Sequence, residues 1–218
     1  MIKVFTGWDE REAIGYGTFI HSVISRASRA VSFTPLHGDQ RDGSNAFTYA
    51  RFEVPRLCDY SGWAIFADGC DMICKGDIAE LYDLRDESFA VQVVKHKYKT
   101  NGKIKYLGTE MECPNVDYAR KNWSSLILWN CEHPANREIT NDDIQKFRWL
   151  EPSLIGELPM EWNWLVDEYG PKAAKLLHWT QGIPAFHRYR NAYQAEDWLN
   201  EHRYSQRGWQ NESATLAA

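Results

Sequence analysis

The stretch that most constrains the fold of this chain is the segment Gly62–Leu81, GWAIFADGCDMICKGDIAEL. Its apolar residues 63–67 are typical of a short buried strand, which two aspartates, Asp68 and Asp71, follow directly. Buried carboxylates need a positive partner, and a divalent metal or a metal-held phosphate can supply that charge. The sequence DIAE then has the form of a capping box and predicts a helix. Taken alone, the spacing still favours a solvated acidic turn between a strand and a helix.

The wider pattern predicts an α/β protein. Predicted strands cover 2–6, 31–36, 63–67, 89–95 and 124–130, and predicted helices cover 9–26, 46–54 and 192–203. Because strands and helices alternate in the first half, we expect a mostly parallel central sheet flanked by helices. We expect residues 1–204 to form a single domain and residues 205–218 to form a flexible tail.

Four local signals refine this prediction. A capping box formed by Asp9 and Glu12 is expected to start the first helix. Pro55 is expected to end the helix over 46–54. The pair Asn101-Gly102 is expected to form a hairpin turn, and Asn141 is expected to cap a short helix that runs through about residue 149.

Composition narrows the functional classes. The formal net charge of -5 leaves no basic footprint, so nucleic acid is not expected as a partner. Ten Trp, eleven Tyr and nine Phe predict a ring-rich core, a cleft lined with rings that suits sugars and bases, or both. Five cysteines with no CxxC pair and no signal peptide predict reduced thiols and a cytoplasmic protein. No apolar run approaches bilayer length, so no membrane span is expected.

Several short motifs occur in a characteristic order. After the first strand come the acidic turn with DIAEL, SSLILWN at 124–130, EWN at 161–163 and HWTQGIP at 178–184. Together they resemble the GT-A-fold nucleotide-sugar glycosyltransferases, nearest to family eight, which includes glycogenin and bacterial galactosyltransferases. Three further motifs resemble a compact microbial or viral subset of that group: VVKHKY at 93–98, RKNWSS at 120–125 and IGELPMEWNWL at 155–165. The resemblance runs from about residue 2 to about residue 198.

The resemblance implies a metal site formed by Asp68, Asp71 and His178. In that family a divalent metal, usually Mn²⁺ with Mg²⁺ as the other choice, bridges both phosphates of the sugar nucleotide. Two carboxylates and an imidazole suit manganese, and the metal neutralises the diphosphate as it leaves. His178 alone would be interpreted as a histidine at the edge of the core, but its place before Gly182 and Pro184 matches the family motif.

Two departures from the family pattern affect this site. The family motif is usually D-x-D, whereas the acidic turn here has one more residue, which Gly69 can absorb through an unusual backbone conformation. Cys70 is a weaker candidate ligand, since oxygen ligands suit Mg²⁺ and Mn²⁺ better. Ile183 also stands where the family usually carries a lysine for the diphosphate. The sequence leaves four substitutes open: Lys175, Arg188, Arg190 and Arg51.

The resemblance also implies a nucleotide-sugar site and a catalytic region. The implied nucleotide-sugar residues are Thr6, Gly7, Asp9, Arg51, Asp68, Lys95, His96 and Gly182. The candidate catalytic residues are Asn122 and Arg148. The catalytic group stays open, because the family's D-Q motif has no clear match; residues 142–145, DDIQ, lie in the corresponding region.

The sequence therefore predicts a metal-dependent glycosyltransferase that moves a sugar, glucose or galactose, from a UDP-sugar to an unknown acceptor. The resemblance implies retention of configuration, with slow hydrolysis of the donor as a side reaction, and the host cytoplasm as its location in the viral case. The acceptor is left open among saccharides, small molecules and proteins. The alternatives are a nucleotidyltransferase or metal-dependent phosphohydrolase on a similar sheet, and a non-enzymatic carbohydrate-binding module.

Overall fold

Short apolar runs form the strands of this protein, for which a computed structural model describes residues 1–38, 45–139 and 144–207. The strands are β1 (Ile2–Gly7), β2 (Val31–Leu36), β3 (Trp63–Ala67), β4 (Met72–Cys74), β5 (Val91–Val93), β6 (Ile104–Lys105), β7 (Cys113–Pro114), β8 (Leu126–Asn130), β9 (Ile155–Glu157), β10 (Trp164–Leu165) and β11 (Leu176–His178). Six of them form a central sheet in the order β2-β1-β3-β8-β5-β9.

The central sheet is mixed and mostly parallel. β1 is parallel to both β2 and β3, and β5 is parallel to β9. β8 runs antiparallel to its two neighbours, β3 and β5. The predicted α/β fold with a mostly parallel sheet flanked by helices is therefore confirmed, with β8 as the strand that reverses direction.

The helices are short apart from the first and the last. The α-helices are α1 (Ala13–Ile24), α2 (Val54–Leu57), α3 (Ile78–Tyr82), α4 (Val166–Tyr169) and α5 (Ala195–Ser205). Single 3₁₀ turns occupy Glu10–Glu12, Ala50–Glu53, Trp123–Ser125, Pro134–Arg137, Ile144–Lys146, Pro152–Leu154, Met160–Trp162 and His187–Tyr189. No helix within the described ranges is both long and apolar enough to cross a bilayer.

The core lies on both faces of the sheet, because successive side chains of a strand point to opposite sides. In β3, Phe66 joins a cluster that holds Phe52 and Trp129 on one face. Its neighbour Ile65 joins the opposite cluster with Phe19 of α1. Strands buried on both faces read as continuous apolar runs, and β3 has this pattern.

A small second sheet of order β10-β11-β4 connects the acidic turn to the distant part of the chain. β4 begins directly after the turn and pairs antiparallel with β11. In this pairing Met72 lies opposite His178, so His178 is brought beside Asp71. The register of these two short strands therefore sets the geometry of the candidate site.

Several local predictions differ from the structure. Pro55 does not end a helix: it lies in the first turn of α2, where its missing N–H costs no hydrogen bond. Residues 101–102 are not a hairpin turn, because the hairpin joins β6 to β7 through residues 106–112. Asp9 caps the first turn by accepting from the Arg11 N–H, but the carboxylate of Glu12 makes no capping bond. Asn141 and most of the predicted tail, residues 208–218, lie outside the described residues.

Two glycines of α1 allow a test of how closely this helix packs against the acidic turn. A Cβ added to Gly15 would lie 1.8 Å from the carbonyl oxygen of Cys70, whereas one added to the exposed Gly17 would have no neighbour within 4 Å. We expect Gly15→Ala to lower the free energy of unfolding by about 1–3 kcal/mol, since the backbones must separate.

The matched variant Gly17→Ala should raise the free energy of unfolding by about 0.5–1 kcal/mol, because alanine has the higher helix propensity. Urea denaturation followed by circular dichroism measures both. Equal effects of the two substitutions would show that α1 is not in close contact with the turn.

Candidate metal centre

Asp68, Asp71 and His178 lie together at the carboxyl-terminal edge of the central sheet. Each offers one ligand atom, and these three atoms lie within 4.8 Å of one another. The residues are 7%, 4% and 2% exposed, respectively. Ligands bind at this edge of open α/β sheets, so the three residues, called the triad below, occupy a favourable position for a metal.

The acidic turn is shaped by its glycine. Gly69 has φ +76°, a left-handed conformation that strains other residues, and a Cβ there would lie 1.9 Å from Oγ1 of Thr6. Two backbone bonds close the turn: the Cys70 N–H donates to the carbonyl of Asp68 at 2.9 Å, and the Met72 N–H donates to that of Gly69 at 3.0 Å. Gly69 thus accommodates the extra residue of the motif in the manner expected from the sequence.

Cys70 is directed away from the triad. Its thiol donates to the carbonyl oxygen of Gly7 at 3.3 Å and is fully buried. Burial, with the negative charge of Glu12 nearby, raises the pKa of this thiol well above its usual value, so the thiol stays protonated. Cys70 therefore joins the turn to β1, and it is not a member of the triad.

Asn163 orients His178. The Nδ1 atom of His178 lies 3.0 Å from Oδ1 of Asn163, and the Asn163 amide donates in turn to Oγ of Ser125 at 2.8 Å. An amide oxygen accepts, so Nδ1 carries the proton. The other ring nitrogen, Nε2, lies 3.1 Å from Oδ2 of Asp71 and faces the triad. This arrangement presents Nε2 as a metal ligand and is the usual one for metal-binding histidines.

The two aspartates are electrostatically different. Burial raises the pKa of Asp68 to about 6, although the adjacent Arg51 guanidinium, 2.8 Å from Oδ1, opposes the shift. Burial also disfavours the Asp71 carboxylate, but the positive charge of a protonated His178 and its hydrogen bond outweigh this and hold the pKa of Asp71 below its usual value. Near neutral pH both side chains can act as carboxylate ligands.

The donor set fits a divalent cation. Oδ1 of Asp71 is buried and has no hydrogen-bond partner among the described residues, so its lone pairs remain unsatisfied. Two carboxylates and one imidazole are ligands that Mn²⁺ and Mg²⁺ accept. A bound cation would satisfy Oδ1 of Asp71 and would be held by Nε2 of His178 as well.

Two residues of this site, Glu12 and Tyr106, were missed by the sequence analysis. Glu12 is 1% exposed and neither carboxylate oxygen has a described hydrogen-bond partner; burial and the charge of Asp71 raise its pKa well above the usual value. Tyr106 is fully buried, and burial together with the charges of Glu12, Asp71 and Asp68 raises its pKa strongly. Tyr106 has φ +54°, and its N–H donates to the carbonyl of Gln181 at 2.6 Å.

A cavity of about 570 Å³ opens beside the triad. Asp68 lines this cavity together with Arg51 and Asn122, whereas Asp71 and His178 do not contribute to its lining. Arg51 is buried and also donates to the carbonyl of Ser124 at 2.9 Å. Arg51 therefore holds Asp68 at the boundary between the cavity and the triad.

The predicted nucleotide residues of β1 lie next to the acidic turn, since Thr6 pairs with Ala67. The Thr6 hydroxyl is buried and has no hydrogen-bond partner in the described part of the chain. Asp9 is fully buried and accepts bonds from the Arg11 side chain at 2.6 and 2.8 Å and from the Ala46 N–H at 2.9 Å. Asp9 therefore ties residues 9–11 to the segment that begins at 45.

The other predicted residues lie around this centre rather than within it. His96 is buried, its Nδ1 lies 3.1 Å from the Tyr169 hydroxyl, and burial lowers its pKa to about 3, so the ring is neutral. Lys95 lies 6.0 Å from the centroid of the Trp123 ring and does not line the cavity. Arg148 is exposed and outside the cavity lining. Gly182 packs against the ring of Tyr189.

The four candidate substitutes for the family's diphosphate-binding lysine lie in different places relative to the cavity. Lys175 is engaged by Glu80 at 2.7 Å and Glu161 at 3.0 Å. Arg188 and Arg190 are exposed and do not line the cavity. Of the four, Arg51 alone lines the cavity, and it is paired with Asp68. Residues 142–143 of the DDIQ segment lie outside the described residues, while Gln145 lines the cavity.

Comparison with known proteins gives one sequence relative and several structural neighbours. The chain is 36% identical over 225 residues to protein CDI of Arabidopsis thaliana, covering 91% of this chain and 85% of that protein. No protein-family model matches the sequence.

The structural neighbours share the fold at low sequence identity. The bifunctional glycosyltransferase WbbM has a TM-score of 0.68 at 16% identity over 92% of this chain, which spans 49% of the WbbM chain. The galactosyltransferase LgtC, solved with donor and acceptor sugar analogues, has a TM-score of 0.67 at 11% identity, covering 95% of this chain and 99% of LgtC. The fold of this protein is therefore the GT-A fold.

The raised pKa of Asp68 predicts how metal affinity depends on pH. Because the proton and the cation compete for this carboxylate, we expect affinity for Mn²⁺ to fall as the pH drops through about 6, by about tenfold per unit below it. Calorimetric titration with Mn²⁺ between about pH 5 and pH 7.5 measures the effect. Asp68→Asn should weaken Mn²⁺ binding and reduce the dependence of affinity on pH. A wild-type affinity that does not change with pH would contradict the assignment of Asp68 as a metal ligand.

The bond from Asn163 predicts a role in metal binding through His178. Removing the amide frees the imidazole to rotate, so Asn163→Ala should weaken Mn²⁺ binding about 10–100-fold. Asn163→Asp keeps an acceptor for Nδ1 and should retain tight binding. Calorimetry on both variants, with folding checked by circular dichroism, compares them; equal losses would show that the oxygen of Asn163 does not orient His178.

Proposed function

The chain belongs to the same protein family as protein CDI of Arabidopsis thaliana, and we propose that it is a metal-dependent glycosyltransferase that moves a sugar from a UDP-sugar to an acceptor. The observation that carries the proposal is the buried triad of Asp68, Asp71 and His178 at the carboxyl-terminal edge of a GT-A sheet. Buried acids without a full set of partners are unfavourable in a protein that has no ligand for them.

Mn²⁺ is the proposed cofactor, with Mg²⁺ as the other choice. When bound, the metal neutralises the charge that develops on the diphosphate leaving group. The residues of the chain position this centre: Asn163 fixes the ring of His178, and Arg51 fixes Asp68 at the cavity. Such a site acts mainly through positioning and charge stabilisation, so no side-chain nucleophile is needed.

The cavity is the proposed place of the donor sugar. Asn122 lines it in a left-handed conformation, φ +60°, and its amide donates to the hydroxyl of Tyr98 at 2.7 Å. Thr6, Gly7 and Asp9 lie at the end of β1, next to the turn, and form the proposed cradle for the uridine. Lys95, His96 and Gly182 complete the proposed surroundings of the donor, and Asn122 and Arg148 remain the candidate catalytic residues.

The finer points of the proposal come from the resemblance of the sequence motifs to family eight. They are a glucose or galactose donor, retention of configuration, slow hydrolysis of the donor and a cytoplasmic location. Membership of a microbial or viral subset also remains a prediction, because the sequence relative, protein CDI, comes from a plant. LgtC was solved with both donor and acceptor sugar analogues, which supports a two-substrate reaction without identifying the acceptor.

Product analysis separates this function from the alternatives. Incubation with UDP-glucose or UDP-galactose and Mn²⁺ should release UDP, by transfer or by slow hydrolysis. A nucleotidyltransferase would instead release pyrophosphate, and a carbohydrate-binding module would bind sugars without metal or nucleotide. A thermal-shift screen with and without Mn²⁺ extends the test to other nucleotides, because specific binding raises the melting temperature.

Asp71 provides the direct test of the metal-dependent step. Its carboxylate contacts Nε2 of His178 and has a free buried oxygen, so Asp71→Asn should lower Mn²⁺-dependent UDP affinity at least tenfold while the fold survives. The matched control is Asp83→Asn, which removes a surface carboxylate paired with Arg29. Calorimetry with UDP in Mn²⁺ measures both, and unchanged affinity in Asp71→Asn would exclude Asp71 as a metal ligand.

A further inference from the structure

The cavity beside the triad carries an excess of positive charge. Its charged lining, within the described residues, consists of Arg51, Lys105, Lys121 and Lys146 against a single acid, Asp68. That acid is already paired with Arg51 at 2.8 Å. No other described acid lines the cavity, although the whole protein has a net charge of -5.

Lys121 is held in this wall by neutral groups. Its Nζ donates to Oδ1 of Asn115 at 2.6 Å and to the carbonyl of Val116 at 2.7 Å. Burial, with the positive charge of Lys105, lowers the pKa of Lys121 to about 8. Two of its donors are thus satisfied by neutral groups, and the ammonium group that they fix at the cavity has a third donor.

Lys105 reaches towards the triad from the hairpin of β6 and β7. It is half-buried, its Nζ lies 5.4 Å from the centroid of the Tyr106 ring, and it forms no ion pair with any described residue. It lines the same cavity as Asp68, and its positive charge favours the ionised forms of Asp68 and Asp71. Lys105 and Lys121 also repel each other, and both line the cavity.

We propose that Lys105 and Lys121 form an anion subsite in the cavity wall that binds phosphate or carboxylate oxygens of the sugar-nucleotide donor. Two like charges that are partly desolvated and repel each other are unfavourable, and an anionic ligand relieves this cost with charge-assisted hydrogen bonds. The subsite rests on the proposed function and deepens it, because it assigns donor contacts to Lys105 on the β6–β7 hairpin and to Lys121 in the segment between β7 and β8. Two parts of a donor carry such oxygens: the diphosphate, and the carboxylate of a uronic acid sugar.

The test uses charge-neutralising variants with a control on the same hairpin. The variants are Lys105→Gln and Lys121→Gln, and the control is Lys103→Gln, which removes an exposed lysine that does not line the cavity. Calorimetry at constant ionic strength measures binding of pyrophosphate in EDTA, and of UDP, UDP-glucose and UDP-glucuronate in Mn²⁺. Circular dichroism confirms that each variant is folded.

We expect each cavity variant to lose at least fivefold in affinity for its anionic ligand, while the control stays within twofold of the wild type. If the subsite holds the diphosphate, pyrophosphate and UDP bind more weakly to both variants. If it holds a uronate, UDP affinity is unchanged and the preference for UDP-glucuronate over UDP-glucose is lost. Cavity variants that match the control with all four ligands would overturn the subsite.

Failure of the proposed function gives a different result. In that case the wild type binds none of the UDP compounds in Mn²⁺, whereas the pyrophosphate measurement in EDTA still decides the subsite. Weaker pyrophosphate binding in Lys105→Gln and Lys121→Gln would then support an anion subsite with another phosphorylated ligand. Equal pyrophosphate binding, or none in the wild type, would overturn it.

Discussion

The contact between Asp71 and His178 is the interaction on which the candidate site depends. It joins two segments 107 residues apart, with Nε2 of His178 3.1 Å from Oδ2 of Asp71, and both side chains are buried. Three features keep it in place: the pairing of β4 with β11, the bond from the Trp179 N–H to the Asp71 carbonyl at 2.9 Å, and the amide of Asn163. Because low-dielectric surroundings strengthen such contacts, small changes in any of the three alter the charge balance of the site.

Much of the fold and the triad could be predicted from the sequence, because both leave local signals. The run WAIFA indicates a strand buried on both faces, and the two aspartates after it indicate an acidic turn. The left-handed conformation of Gly69 agrees with the expectation that this glycine absorbs the extra residue of the acidic turn. His178 was placed with these acids through motif order, and the structure brings the three together.

The remaining features depend on contacts between distant parts of the chain, which no local pattern encodes. Glu12 fitted a capping box, but tertiary packing buries it instead near Asp71. Tyr106 gave no signal, because its hairpin is defined by pairing with residues 113–114 and by the bond to Gln181. Pro55 was expected to end a helix, yet proline is also favoured in the first turn, and only the structure decides between these uses.

The hydrogen bond from the Tyr106 N–H to the Gln181 carbonyl limits where substitutions can change ligand specificity in such a protein. Gln181 lies three residues after His178, and its own N–H donates to Oδ2 of Asp167 at 3.0 Å. One continuous segment therefore supports both the imidazole and the hairpin that carries Lys105. Substitutions in this segment are therefore expected to disturb the triad and the hairpin together, so variation in what the cavity binds is expected to arise from other lining residues, such as Gln145.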